Sequence, residues 1–279
     1  IIELETRDLL DKLSFSYIDD VITKDEAAKI IDQKKLSLPS NLDDLNSTIF
    51  PAYTTAAGWL GYSDEKMKRL VEENLSKGWT HFKMKVGQDI ERDIHRCNLV
   101  RELIGEENIL MVDSNQIWSV KETIENISKL KQFNILFYEE PTSPDDVLGF
   151  KKIKDAHPDI KLATGEMIQN KVVFKQFIEN KSLDYCQIDS CRMASINEIL
   201  PVLLIASKFN TPVIPHAGGV GLCEYVQHLN LINKFIISNN ELSLSEYAES
   251  CSEHFENPAI IKDGGYITPK EPGYSVRIK

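Results

Sequence analysis

The 279-residue chain carries 43 acidic against 32 basic side chains, a net charge of -11 and a sequence pI near 5.1. That balance argues against nucleic acid or an anionic membrane as a partner, and an anionic substrate would need local cations or a metal. No apolar run approaches the roughly 18 residues of a membrane span.

Five cysteines (Cys97, Cys186, Cys191, Cys223, Cys251) are odd in number and form no C-x-x-C pair. They read as reduced, intracellular thiols, with Cys186 and Cys191 as core packing. The chain begins at Ile1 and shows no signal or transit pattern. The expectation is that an N-terminal portion, with any targeting segment, precedes it, and cytosol and mitochondrion both stay open.

From about Pro51 onward, short apolar runs alternate with amphipathic stretches. "THFKMKVG" precedes a helical pattern over 91–104, "NILMVDSN" one over 121–133 and "NILFYEEP" one over 146–156. "IKLATGE" precedes 172–178, "LDYCQIDS" 196–209 and "TPVIPHAGG" 222–233. This βαβ rhythm predicts a parallel sheet covered by helices, either a closed barrel or a doubly wound sheet. No G-x-G-x-x-G turn marks a dinucleotide site, and "GGVG" at 218–221 reads as a tight turn.

Within "HFKMKVG", Lys83 and Lys85 are two apart and share one face of a strand, with Phe82, Met84 and Val86 on the other. On a half-exposed sheet they would be an ordinary wet face. In a closed barrel the same pair points inward, where lysine is rare without a purpose.

Each run ends in an ionisable residue: Lys85, Asp113, Glu139, Glu166, Asp189 and His216, spaced 23 to 28 residues apart. A lone acid after a strand is usually a helix N-cap. Six in phase converge on one face if the strands close into a barrel, because active sites there are built from several strand ends. Asp113, Glu139 and Glu166 would form a hard, oxygen-only site suited to Mg2+ more than to zinc. Salt-bridge partners or helix caps are the alternative for all three. Glu140 should point away from Glu139. Asp189 beside His216 would orient the ring and raise its basicity. Lys83 beside Lys85 would favour the neutral amine that accepts a proton. A metal between two such bases suits removal of a proton next to a carboxylate, followed by loss of a hydroxyl (dehydration) or reprotonation on the opposite face (racemisation).

The "KMK" of 83–85, Asp113, "EEP" at Glu139, "TGE" at Glu166 and the Asp189–His216 pair stand in the order of the enolase superfamily, mandelate racemase subgroup, which the chain resembles. "PAYTTAAGWLGYSDE", "CNLVRELIG", "EEPTSPDD", "QIDSCRMASINE", "PHAGGVGLCEYVQHL" and "PKEPGYS" are most similar to its L-fuconate dehydratase branch. The resemblance implies a modified TIM barrel, (β/α)7β, over 51–249. Residues 1–50 would be a remnant of a largely missing α+β capping domain, and 250–279 a segment that normally packs on that cap, leaving apolar surface exposed.

The resemblance further implies Mg2+ on Asp113, Glu139 and Glu166. Lys85 would take the C2 proton, and His216, oriented by Asp189, would act as the acid. Lys83, Asn115, Glu139, His216 and Glu246 would contact an acid-sugar substrate, Glu246 from the last barrel strand. Ile117 stands where relatives carry arginine. The implied reaction is dehydration of an acid sugar, L-fuconate foremost, to its 2-keto-3-deoxy product, with a homo-oligomer as the implied assembly. Another acid-sugar dehydratase or epimerase is the alternative within that class. Outside it stands a cap-less, non-catalytic form that only binds metal or a partner.

Overall fold

The computed structural model describes residues 4–38, 49–240, 242–248 and 250–279. Parts of the expected 1–50 region, and residue 249 at the expected end of the barrel, therefore lie outside the described residues. Two helices open the chain, α1 (Thr6–Asp11) and α2 (Lys24–Leu36). The Thr23 hydroxyl accepts from the Glu26 N–H while the Glu26 carboxylate accepts from the Thr23 N–H, closing two open donors at the start of α2.

The strand–helix alternation then runs β1 (Ile49–Thr54), α3 (Asp64–Ser76), β2 (His81–Lys85), α4 (Ile90–Ile104), β3 (Ile109–Asp113) and α5 (Val120–Leu130). It continues through β4 (Ile135–Glu139), α6 (Val147–Ala156), β5 (Leu162–Thr164), α7 (Lys171–Glu179), β6 (Tyr185–Cys186) and α8 (Ile196–Lys208). After α9 (Leu222–Ile232) comes β7 (Ser245–Tyr247), and a hairpin of β8 (Ile261–Lys262) and β9 (Gly265–Ile267) follows. Strands β1 to β6 pair in parallel in sequence order, and β7 pairs in parallel with β1. Residues 213–216 make the missing stave. Ile214 N–H donates to Cys186 O (2.8 Å) and His216 N–H to Ile188 O (2.9 Å).

Eight staves with seven helices between them give the (β/α)7β barrel that the family resemblance implies, and decide against the doubly wound sheet that the alternation left open. Among the described residues its ladder does not close across the last gap, which is spanned by one long bond from Glu246 N–H to Pro215 O at 3.4 Å. The C-terminal hairpin braces that side. β9 runs antiparallel to the start of β1, and the fully buried Tyr266 donates its hydroxyl to the carbonyl of Glu246. Further along 250–279, Ile260, Tyr274, Val276 and Ile278 are exposed.

Helix boundaries follow the sequence pattern to within a few residues, with physical reasons for the differences. The stretch expected as one helix over 121–133 is α-helical only to Leu130, and a 3-10 turn (Lys131–Phe133) ends at a left-handed Asn134. The helix expected over 222–233 runs on through a π-helical turn, Asn233–Ile237. Cys186 is buried, whereas Cys191 is exposed in the loop after Asp189 and not part of the core.

The helices bring their own caps. Ser63, Asp89, Ser119, Asp146, Asn170 and Ser195 each accept from the first turn of α3 through α8. The strand-end carboxylates are thus free for another use.

Period-two alternation sorts the strands into two cores. Phe82, Met84, Val86, Leu110, Val112, Tyr138, Leu162 and Ile188 face the helices. Tyr53, Met111, Phe137, Ala163, Tyr185, Ile214 and Leu244 fill the barrel's interior. Two residues beyond Met111, Phe137, Ile214 and Leu244, on the same inward face, stand Asp113, Glu139, His216 and Glu246.

Candidate metal and proton-transfer site

Asp113 and Glu139 are the last residues of β3 and β4 and are fully buried. Glu166 lies two residues beyond β5, because Gly165 (φ 146°) turns the chain against β6. A Cβ at Gly165 would meet Gln187 O at 2.6 Å, so only glycine permits this approach. One oxygen from each of Asp113, Glu139 and Glu166 lies within 4.8 Å of the others. Three carboxylates without nitrogen or sulfur donors suit a hard divalent cation.

Lys83 and Lys85 both point into the barrel. Lys83 Nζ, nearly inaccessible, donates to Glu139 Oε1 and Oε2 (2.7 and 2.9 Å) and pairs with Glu246 Oε1 (3.0 Å). Lys85 Nζ pairs with Asp113 and retains some access to solvent. Opposite it, His216 Nδ1 bonds Asp189 Oδ2 (2.6 Å), while Nε2 lies 3.2 Å from Glu166 and 3.5 Å from Glu246. The other oxygen of Asp189 accepts from the N–H groups of Cys191 and Arg192, so this carboxylate is fixed from both sides.

Glu246, on β7, also accepts from Ala217 N–H (3.0 Å) and Thr55 Oγ1 (3.4 Å). Asn115 sits at the rim in left-handed backbone (φ 44°), its N–H donating to Asp113 Oδ1 (2.9 Å) and its side chain exposed. Ile117 is exposed beside it. Each residue expected to bind metal or substrate or to move a proton therefore falls within this one cluster or on its rim.

The electrostatics are unbalanced. Asp113, Glu139, Glu166, Asp189 and Glu246 face Lys83, Lys85 and His216, an excess of two negative charges when all are ionised. Burial pushes Glu139 well up, helped by the charge of Asp113 and opposed by Lys83. Burial likewise raises Glu166, against the pull of His216. For Asp113, burial acts upward but the Lys83 and Lys85 ammoniums outweigh it and hold the carboxyl low. Lys83 contacts both Asp113 and Glu139, and its charge cannot satisfy both. A divalent cation would cancel the excess of two, so both the donor set and the charge fit one. Burial would lower His216, yet the bond to Asp189 and the charges of Glu246 and Glu166 push it up to about 9.

Two participants had weak signals in the sequence. Gln187 is buried and donates to Glu139 Oε2 (2.7 Å), leaving its own Oε1 without a partner. Its clue is inward spacing: it sits two residues before Asp189. Thr55 reaches Glu246 from 191 residues away in the chain, which only closure brings together. Glu140 turns aside in left-handed backbone (φ 39°) and accepts from Gln116 Nε2, as expected of the second glutamate.

A barrel mouth with three convergent carboxylates between a lysine pair and a carboxylate–histidine pair defines a class. Residues 66–279 match the enolase C-terminal domain-like family, and the chain belongs to it, within the mandelate racemase subgroup. It is 47% identical over 272 residues to L-galactonate dehydratase from Hypocrea jecorina, covering 96% of this chain and 60% of that one. The crystal structure of human mitochondrial enolase superfamily member 1 superposes with a TM-score of 0.96 at 45% identity, covering 100% of this chain and 64% of that one. L-talarate/galactarate dehydratase from Salmonella typhimurium LT2, solved with Mg and L-lyxarohydroxamate, gives a TM-score of 0.74 at 26% identity and coverages of 99% and 70%. The chain spans 60% to 64% of the length of the first curated relatives it matches.

Proposed function

We propose that this chain carries the catalytic barrel of an Mg2+-dependent acid-sugar dehydratase, with L-galactonate and L-fuconate as the leading substrates. The observation that carries the reading is the carboxylate triad, its oxygens within 4.8 Å, standing between Lys85 on one side and His216–Asp189 on the other. The L-galactonate name comes from the Hypocrea relative. L-fuconate is 6-deoxy-L-galactonate, so the two acids share configuration from C2 to C5 and differ only in the C6 hydroxyl.

Asp113, Glu139 and Glu166 would hold the cation, which supplies a fixed positive charge beside the substrate carboxylate and so makes the neighbouring C–H more acidic. Lys85 takes the C2 proton, breaking the C–H bond. Lys83, locked by Glu139 and Glu246, stays charged and adds a second fixed cation under the developing negative charge. His216, its Nδ1 held by Asp189, presents Nε2–H to the C3 hydroxyl, which leaves as water with that proton. The resulting enol takes a proton at C3 and becomes the 2-keto-3-deoxy acid, so one water is lost overall. Asn115 contacts the substrate from the rim and Glu246 from within the buried cluster.

The same reading makes residues 1–50 the end of a capping region and 250–279 the segment that packs on it. It also favours the mitochondrion, the compartment in the names of several relatives. A 2-keto acid assay of this chain with Mg2+ and L-galactonate, L-fuconate, galactarate and arabinonate tests it. The first two acids are expected to give product with C6 tolerance. Mg2+ binding without turnover of any acid would reject the dehydratase reading for this chain.

A further inference from the structure

One buried guanidinium outside the charged cluster is fastened to the end of β2. Arg96, on α4, is only 2% exposed. Its Nη1 donates to Lys85 O (2.6 Å), and its Nη2 to Gly58 O (2.9 Å) and Trp59 O (3.0 Å). Its nearest carboxylate, Asp93, stands 3.9 Å away and is itself engaged by Gly87 N–H at 2.7 Å. The guanidinium thus serves backbone carbonyls in place of a close ion pair, an arrangement that the planar fork of arginine can make and the point charge of lysine cannot.

The turn it holds lies directly on β2. Lys85 N–H donates to Gly58 O (2.9 Å), and a Cβ at Gly58 would lie 2.3 Å from Lys83 O and 2.7 Å from Met84 Cα. The next residue, Trp59, is half exposed, and its ring centroid is 5.5 Å from Lys85 Nζ.

We infer that Arg96 is a positioning residue that clamps the Gly58–Trp59 turn onto the exit of β2 and so sets Lys85 Nζ and the Trp59 indole as one unit at the mouth of the site. The inference rests on the reading of Lys85 as the base. Proton transfer needs the reacting atoms within about 3–3.5 Å, and a misplacement of about 1 Å costs roughly a hundredfold. A loosened clamp therefore acts on kcat more than on KM.

The test is Arg96→Lys in protein labelled with 5-fluorotryptophan, whose three tryptophans give three 19F resonances, Trp59 being assigned with Trp59→Phe. The expected result is a shifted and broadened Trp59 resonance, with those of Trp79 and Trp118 in place. With Mg2+ and L-galactonate, kcat should fall roughly 10- to 100-fold with KM nearly constant, and the deuterium isotope effect at C2 should grow. An unchanged Trp59 resonance and kcat would overturn the inference. So would a common shift of all three resonances, which marks a general structural role. Gly58→Ala, which lifts the turn while keeping Arg96, must give the same Trp59-selective signature, and it decides the matter if Arg96→Lys does not fold. If the wild type turns over none of the acids, the functional reading fails by itself, while the 19F result still decides the clamp.

Discussion

Two layers inside the barrel, one two residues downstream of the other, have opposite chemistry. Met111, Phe137, Ile214 and Leu244 form an apolar plug. Asp113, Glu139, His216 and Glu246 continue the same inward faces into a buried cluster with more carboxylates than cations. The plug gains free energy from burial and packing. The charged layer gives up desolvation free energy and recovers it through pairing, incompletely because of the two excess negative charges. Neighbouring positions on one strand thus divide between packing and paired charge, and substitutions in the two layers should leave different signatures.

The largest effect is expected in the charged layer. Glu166→Gln should lower turnover roughly a thousandfold or more, the scale of the several kcal/mol a catalytic cation supplies. The metal-free protein should be as stable as wild type or more so, because one member of the repelling set is gone. Mg2+ at a hundred times its Kd should stabilise the wild type by about 2.7 kcal/mol, and this gain should vanish in the variant and after chelation. Thermal melts with and without Mg2+ read all of this. A variant destabilised like a core mutant would erase the distinction between the layers.

In the plug, Phe137→Ala should cost about 3–5 kcal/mol of stability, because the ring packs edge-on to Tyr53 and against Tyr185 and leaves a cavity behind. Denaturant unfolding measures the loss, and Mg2+ affinity of the folded fraction should stay within a few fold of wild type. A large loss of affinity would mean that the two layers are not separable.

The smallest effect lies away from both layers and sharpens the comparison by showing a burial cost without a compensating charge. Burial holds His228 down to about 4, and its Nε2 faces Ser275 Oγ at 2.9 Å in the C-terminal segment. Above the unfolded pKa near 6.5 the imidazole is neutral in both states. As pH falls from there toward 4, the unfolded chain binds a proton that the folded one does not, so stability declines across that window and levels off below it. His228→Gln should flatten that part of the stability–pH curve, measured by urea midpoints at a series of pH values.

Much of the site was legible because strand geometry is simple. A period of two puts Lys83 and Lys85 on one face, and a regular βα spacing brings Asp113, Glu139 and Glu166 to one rim. Asp189 and His216 followed from the same phase. The sequence did not reveal Gln187, whose neutral amide has no motif, or Thr55, which meets Glu246 only through closure of the barrel. Arg96 was also hidden, because its partners are carbonyls and any residue supplies a carbonyl. The open seam beside β7 and its bracing by Tyr266 arise from packing between segments, which no local pattern encodes.

The central claim is that Lys85 removes the C2 proton and His216 assists the departing hydroxyl. Proton NMR of L-galactonate in D2O with Mg2+ and each of two variants separates these roles. His216→Asn should wash the C2 proton into solvent without forming the keto acid, and Lys85→Ala should do neither. Wash-out by Lys85→Ala, or elimination that proceeds at the wild-type rate without His216, would contradict the account.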